Sequence, residues 1–158
     1  MNYWLMKNEP SCYSIDDLQR DGVYVWDGVR NYQARNFMKE MRAGDKILYY
    51  HSNANPTGIV GVGKIVKAPY PDPAQFDTRS EYFDAKATAE SPRWVAVDVA
   101  FVAKFTEPLT LNELKLDPTY TDMLVVKKGM RLSVQPVSKK HFEKILVEKH
   151  FLNISLYK

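Results

Sequence analysis

The sequence is poor in the features that define several protein classes. Cys12 is the only cysteine among 158 residues, which excludes a disulfide framework and a zinc site built from several thiolates. The N-terminal stretch has no long apolar core, so no signal peptide and no membrane span are predicted. The formal net charge is only +3, so any affinity for nucleic acid must come from a local patch. A soluble protein of the reducing cytoplasm is the expectation.

The chain has enough material for one domain and aromatic residues to spare. Its length fits a single domain spanning residues 1–158. The 10 Tyr, 7 Phe and 3 Trp can fill a core and still leave rings for a binding site. The least regular stretch, residues 68–93, carries four prolines. A loop of this length in a compact domain is often functional, and the alternative is a plain surface excursion.

Local patterns predict four helices. Three of them begin at hydroxyl side chains suited to N-capping, two of which are followed three positions later by an acid. In the fourth, apolar residues recur at the spacing of one buried helix face, and a glycine is the expected stop. The N-cap residues are Ser14, Thr110, Ser138 and, for the fourth helix, Asn31; its buried face is Ala34, Phe37, Met38 and Met41, and its stop is Gly44.

Strands are predicted at residues 3–7, 46–52, 58–68, 94–105 and 131–137. In the stretch 94–105, side chains are predicted to point alternately to the two faces of one continuous strand. This strand would span about 40 Å, which is too long for a flat strand in a small domain. It is therefore predicted to bend around a barrel. Strands and helices mix without regular βαβ alternation. The predicted fold is α+β, a small, bent, mostly antiparallel β-barrel with short peripheral helices.

Few residues point to catalysis, a cofactor or a metal. The glycines of Gly58–Gly63 lack the context of a phosphate-binding loop and are predicted to permit close approach of strands. The three histidines lack metal-ligand spacing; His141 and His150 are expected on a solvated helix face, whereas His51 ends a strand and is a candidate for binding or for a structural hydrogen bond. No serine nucleophile motif occurs. Neither an enzyme nor any cofactor or metal is predicted.

The stretch VWDGVRNYQARN, residues 25–36, is unusually dense in aromatic and hydrogen-bonding groups. Trp26 is either a core residue or a stacking platform at a strand end. Arg30 stands at a helix start, where the dipole disfavours a cation, so it needs an acidic partner or a phosphate. Arg35 faces either a ligand or only water. A second cluster, Lys127, Lys128 and Arg131, suits backbone phosphates or is a plain basic turn.

Eight segments in order resemble the EVE domain family: YWLMKNEP, YSIDDL, WDGVRNYQARNFM, GDKILYYHS, GIVGVGKIV, YPDPAQFD, PRWVAVDV and RLSVQP. The resemblance covers nearly the whole chain. It implies a PUA-like fold, kinship to YTH and ASCH domains, and recognition of a modified base, either a modified cytosine in DNA or a modified RNA base. Two positions depart from the family pattern: Asn8 replaces a frequent serine, and Tyr82–Lys86 only partly matches.

The resemblance implies an aromatic and polar pocket for a flipped base, with Trp26 as a cage wall. At its mouth, donors and acceptors would be provided by Lys7, Asn8, Glu9, Ser14 and Asp27. The pocket would be supported, or the nucleic-acid backbone contacted, by Arg30, Asn31, Tyr32 and Arg35. The opposite wall would be formed by Tyr50, His51 and Ser52, and further phosphate or polar contacts would come from Arg131 and Ser133. The expected partner is nucleic acid carrying a modified base, together with a nuclease or modification enzyme that the sequence does not identify.

The sequence is also compatible with two other classes of function. One is an enzyme acting on a modified nucleotide or base, with Glu9, Asp27 or His51 as the reacting group. The other is a protein-interaction module, which would expose a large apolar patch.

Overall fold

The computed structural model describes residues 1–151. Six strands and four helices follow one another along the chain. The strands are β1 (Tyr3–Asn8), β2 (Val23–Trp26), β3 (Lys46–His51), β4 (Gly58–Pro71), β5 (Val95–Thr110) and β6 (Val134–Val137), and the helices are α1 (Ile15–Asp21), α2 (Tyr32–Lys39), α3 (Leu111–Leu116) and α4 (Lys139–Glu148). Three short 3-10 helices lie at Pro73–Phe76, Pro118–Tyr120 and Leu124–Val126.

The strands form one sheet in the order β2-β5-β4-β3-β1-β6. Only β1 and β3 are parallel, and every other neighbouring pair is antiparallel. The predicted α+β class and mostly antiparallel pairing are confirmed. Closure into a barrel is not: β2 pairs only with β5 and β6 only with β1 among the described residues, so the sheet keeps two edges.

The two longest strands bend by irregular pairing. β4 and β5 run for 14 and 16 residues, and their register shifts at four places. Such shifts kink and twist a strand pair. A Cβ atom on Gly58 would stand 2.4 Å from the carbonyl oxygen of Leu109, which confirms that this glycine permits close approach.

The predicted helix starts are confirmed. Ser14 forms a full capping box with Asp17, and the side chains of Asn31, Thr110 and Ser138 each accept a hydrogen bond from the first turn of their helix. Helix α2 ends earlier than the predicted stop at Gly44, because the chain already leaves the helix after Lys39.

Both faces of the sheet are buried, and alternation along β1 determines which residue reaches which side. Trp4 and Met6 belong to one apolar cluster with α1 and α2, whereas Tyr3 and Leu5 belong to another with α3 and α4. A barrel would instead enclose a single interior. Helices cover both sides of this sheet, so its apolar side chains are buried without closure.

The expectation that His141 lies on a solvated helix face is wrong. Only 8% of this residue is exposed, and its Nε2 lies 2.9 Å from the Thr119 carbonyl oxygen. Within residues 1–151, no group of three or more His, Cys, Asp or Glu side chains could hold a metal. The helices in this range are also too short or too polar to cross a membrane.

Candidate nucleic-acid interface

Residues from three distant segments meet beside the end of β1. We call Asn8, Tyr24, Asp27 and Tyr82 the aromatic–carboxylate cluster. The half-buried Tyr24 ring stacks on Tyr13 with centroids 3.8 Å apart. The exposed Tyr82 ring lies against the Gly28 backbone, so close that a Cβ atom there would stand 2.7 Å from it. The cluster therefore offers two rings, a carboxylate and an amide.

The ionisable groups of the cluster influence one another. Partial burial raises the pKa of the Asp27 carboxyl, the Asp72 carboxylate raises it further, and Arg30 opposes both. Burial also raises the pKa of Tyr24, with Asp27 adding to the rise and the Asn8 side chain opposing it. Burial followed by the Glu81 and Asp27 carboxylates raises the pKa of Tyr82. The two tyrosines are thus neutral hydroxyls at neutral pH, available as donors and acceptors.

Trp26 lies beneath this cluster rather than at its surface. The residue is 3% exposed, and its ring meets Tyr24 and Tyr49 edge to face at 5.7 and 5.4 Å. Neither face of the indole is open to a base in this conformation. Of the two alternatives, core residue or exposed stacking platform, the structure shows the core position. Contact of Trp26 with a bound base stays a prediction.

Asp72 fixes the backbone around the cluster. Its buried carboxylate accepts hydrogen bonds from the Gly28 amide at 2.9 Å, the Ala74 amide at 2.8 Å and Arg30 at 2.8 Å. Arg30 in turn donates to the carbonyl oxygen of Tyr82. The acidic partner that Arg30 required is therefore Asp72, and the pair holds the Tyr82 loop beside the end of β2.

Several predicted contact residues are occupied by hydrogen bonds within the protein. The Ser14 hydroxyl caps α1, and His51 Nε2 accepts from the Ile15 amide at 3.1 Å. Burial lowers the pKa of His51, which keeps the ring neutral and able to accept. Glu9 accepts from the Asn53 side chain at 2.7 Å, and the Ser52 amide donates to the Asn8 carbonyl. These groups shape the site, and ligand contact by any of them stays a prediction.

The α2 residues form a separate stack beside the Tyr82 loop. Tyr32 stacks on Trp94 with centroids 4.9 Å apart, and the Arg35 guanidinium lies 4.7 Å from the Tyr32 ring centroid. Asn31 caps the helix through its side chain. Arg35 also donates to the carbonyl of Arg93, so it is not simply a solvated cation.

Lys7, Tyr50 and Arg131 lie on the other side of the sheet, away from Asn8. They line a cavity of about 560 Å³, which we call the basic groove. Its lining comprises Lys7, Tyr50, Leu111, Lys115, Val125, Val126, Lys127, Lys128, Gly129, Met130 and Arg131. Ser133 is not among them, and its carbonyl accepts from the Lys7 amide.

The structure thus divides the predicted site. It brings Asn8 and Asp27 together and places Lys7, Tyr50 and Arg131 elsewhere. The sequence interpretation did not include Tyr24, Tyr82 or Asp72. The one available signal was the proline-rich stretch 68–93, for which a functional loop and a plain surface excursion were both open; it contributes both Asp72 and Tyr82.

Comparison with known proteins gives the ancestry. The EVE domain model matches residues 2–148. Thymocyte nuclear protein 1 of Mus musculus is 41% identical over 166 residues, covering 92% of this chain and 72% of the relative. A Pseudomonas syringae protein of solved structure has 50% identity and a TM-score of 0.89, covering 93% of this chain and 99% of that one. The human THYN1 protein, solved in complex with DNA containing 5-methylcytosine, has 36% identity and a TM-score of 0.87, covering 94% of this chain and 98% of that one. This chain belongs to the EVE domain family.

Proposed function

We propose that this chain is a nucleic-acid-binding module that accommodates a modified base, foremost a modified cytosine in DNA, at the aromatic–carboxylate cluster. The observation that carries the proposal is the human THYN1 complex with 5-methylcytosine DNA, whose fold this chain shares at a TM-score of 0.87. A modified RNA base is the other ligand that the cluster could take, and the test below includes it.

The cluster has the chemistry that a cytosine edge requires. The exocyclic amine of cytosine is a donor, and Asp or Glu carboxylates are its usual acceptors. Asp27 can accept from that amine. The Asn8 side-chain oxygen already accepts from the Glu9 amide at 3.0 Å and has a second lone pair for a ligand donor. A ring such as Tyr82 can stack on the base, which contributes about 1–3 kcal/mol per base.

The energetics favour moderate discrimination. Extruding a base from a duplex costs a few kcal/mol, which stacking and edge hydrogen bonds offset. Burying one methyl carbon adds about 0.8 kcal/mol. We therefore expect 5-methylcytosine to be preferred over cytosine by a factor of between about three and ten. Trp26 would support the pocket from below.

The test is a binding panel at low salt with fluorescently labelled DNA and RNA oligonucleotides. The strands carry cytosine, 5-methylcytosine, 5-hydroxymethylcytosine, adenine or N6-methyladenine at one position. Asp27→Asn and Tyr82→Ala are the informative variants, because both side chains are exposed. We expect each variant to lose affinity for the preferred base by about tenfold, as for loss of a charged hydrogen bond or a stacked ring.

The matched control is Asp122→Asn, which removes an exposed carboxylate on another segment and should leave binding unchanged. Trp26→Ala is less informative, since truncating a buried Trp costs about 3–5 kcal/mol of stability. Equal binding of modified and plain strands by the native protein would contradict recognition of a modified base.

A binding module also fits the groups nearest the cluster better than an enzyme does. His51, the strongest acid–base candidate, already accepts the Ile15 amide. Turnover of a modified nucleoside that disappears in His51→Ala would nevertheless overturn this choice. Residues 1–158 are proposed to act as one domain. The cytoplasmic location expected from the sequence stays a prediction, and the mouse relative is named a nuclear protein.

A further inference from the structure

The basic groove concentrates positive charge on a nearly neutral protein. Five of the residues that line it are cationic and none is acidic, whereas the whole chain carries a formal charge of only +3. The cations come from three parts of the chain: Lys7 on β1, Lys115 on α3, and Lys127, Lys128 and Arg131 in the segment before β6.

These cations lack acidic partners within the part of the chain that the structure describes. None of the five forms an ion pair with a residue of the range 1–151. Four of them are exposed residues of the groove lining: Lys115, Lys127, Lys128 and Arg131. Cations that gather around a concave surface without acids produce a focused positive potential.

Lys7 adds a charge at the inner wall. Its ammonium lies 5.4 Å from the centroid of the Tyr50 ring and 3.4 Å from the Met130 carbonyl oxygen. The ammonium group can donate three hydrogen bonds, and only the long one to Met130 is made within residues 1–151. Burial lowers the pKa of Lys7, so an anion in the groove would relieve the cost of keeping it charged.

We propose that the basic groove holds backbone phosphates of the same nucleic-acid strand whose base binds at the aromatic–carboxylate cluster. This inference rests on the proposed function and extends it to a second contact surface. Lys7 and Asn8 are consecutive residues at the end of β1, with Asn8 at the cluster and Lys7 in the groove. A strand that leaves the cluster can therefore cross the end of β1 and reach the groove directly.

The shape of the groove favours a phosphodiester backbone over a single free phosphate. Its volume of about 560 Å³ is in the range of pockets for drug-sized ligands. The five cations come from three separate segments of the chain, whereas a phosphate-binding loop surrounds one phosphate with consecutive backbone amides. Backbone contacts of this kind position a strand without contributing sequence specificity.

The experiment compares Lys127→Ala/Lys128→Ala with Lys139→Ala/Lys140→Ala, a matched adjacent pair of exposed lysines on α4. Binding of cytosine and 5-methylcytosine strands is measured as a function of salt. We call Lys127→Ala/Lys128→Ala the groove variant and expect it to bind both strands about tenfold more weakly. The salt slope, which is the slope of log affinity against log salt concentration, should decrease in magnitude by about one for each phosphate contact that is lost. The control pair should change neither quantity.

Neutral methylphosphonate linkages, placed one at a time on either side of the base, locate the contact. A linkage at the phosphate held by the groove should weaken binding to the native protein but not to the groove variant. No difference between the groove variant and the control would overturn the proposal. So would binding of a mononucleotide 5′-phosphate that matches the oligonucleotide and disappears in the groove variant, because the groove would then hold a terminal phosphate.

The two proposals fail in different ways. If the native protein does not prefer any modified base but the groove variant still has a smaller salt slope, the groove inference stands and base recognition falls. If the modified base is preferred and the groove variant keeps the full salt slope, base recognition stands and the groove inference falls.

Discussion

At the scale of single residues, the buried Asp72 carboxylate organises the candidate site. It joins the turn after β2, the 3-10 helix at Pro73–Phe76 and Arg30. The sequence predicted that Arg30 needs an acidic partner, because a cation at a helix start is unfavourable. It could not identify that partner, which lies 42 positions away and is brought near only by the pairing of β4 with β5 and of β5 with β2.

Arg30→Ala tests this arrangement. The substitution leaves a fully buried carboxylate with only backbone amide partners, and an uncompensated buried charge is costly. We expect the free energy of unfolding to fall by about 2–4 kcal/mol, as measured by urea denaturation. Arg79→Ala is the control on the same loop: its side chain is 92% exposed, so a change within about 0.5 kcal/mol is expected. Equal effects of the two substitutions would show that the Arg30–Asp72 pair contributes little.

At the scale of secondary-structure elements, helix starts were predictable and their tertiary support was not. Capping depends on residues within one turn, so Ser14, Asn31, Thr110 and Ser138 could be identified from the sequence alone. Helix α1 also receives a contact from His51, which is 36 positions away from Ile15. That contact arises because β1 and β3 are parallel neighbours, with Asn8 opposite His51, and no local pattern contains this information.

The His51 contact predicts a pH dependence of stability. Burial, the largest cause, lowers the folded-state pKa of His51; Asp16 opposes the shift and Lys104 adds to it. The unfolded chain therefore takes up a proton before the folded chain does. The contribution of His51 to stability is full above its unfolded pKa of about 6.5 and is lost as the pH falls below that value towards the folded pKa.

Urea midpoints between about pH 5 and pH 8 measure this effect. Below neutral pH, the urea midpoint of the native protein should fall partly because His51 takes up a proton on unfolding. In His51→Gln, which cannot titrate, we expect the midpoint to fall less. His150→Gln is the matched control, since His150 lies beyond the end of α4. If the native protein and His51→Gln decline in parallel, protonation of His51 is not coupled to unfolding.

At the scale of the whole molecule, the sheet formed by residues 1–151 is covered on both faces and has no strand beyond either edge. The sequence predicted five of the six strands, their bending and mostly antiparallel pairing, because alternation and length are local properties. It did not predict β2, a strand of only four residues. The sequence could not show whether the sheet closes into a barrel, because closure requires β2 and β6 to pair with each other. Each of these strands pairs with a strand that is distant in the chain, β5 for β2 and β1 for β6, and no local pattern contains this information. The sequence likewise could not separate the candidate site into two surfaces. Lys7 and Asn8 are adjacent in the chain, yet Lys7 lines the basic groove and Asn8 belongs to the aromatic–carboxylate cluster on the other side of the sheet.

Hydrogen exchange distinguishes an open sheet from a closed barrel. In the open sheet, β3 and β4 are hydrogen-bonded on both sides, whereas β2 and β6 each have one side without a neighbouring strand among residues 1–151. We expect amides of β2 and β6 that point away from β5 and β1 to exchange much faster than amides of the central strands, because unpaired edge groups are open to water. Amides of the same edge strands that point towards their partners provide an internal control. If outward-pointing and inward-pointing amides of β2 and β6 were equally protected, the two edges would have to be covered, as they are when strands pair around a complete barrel.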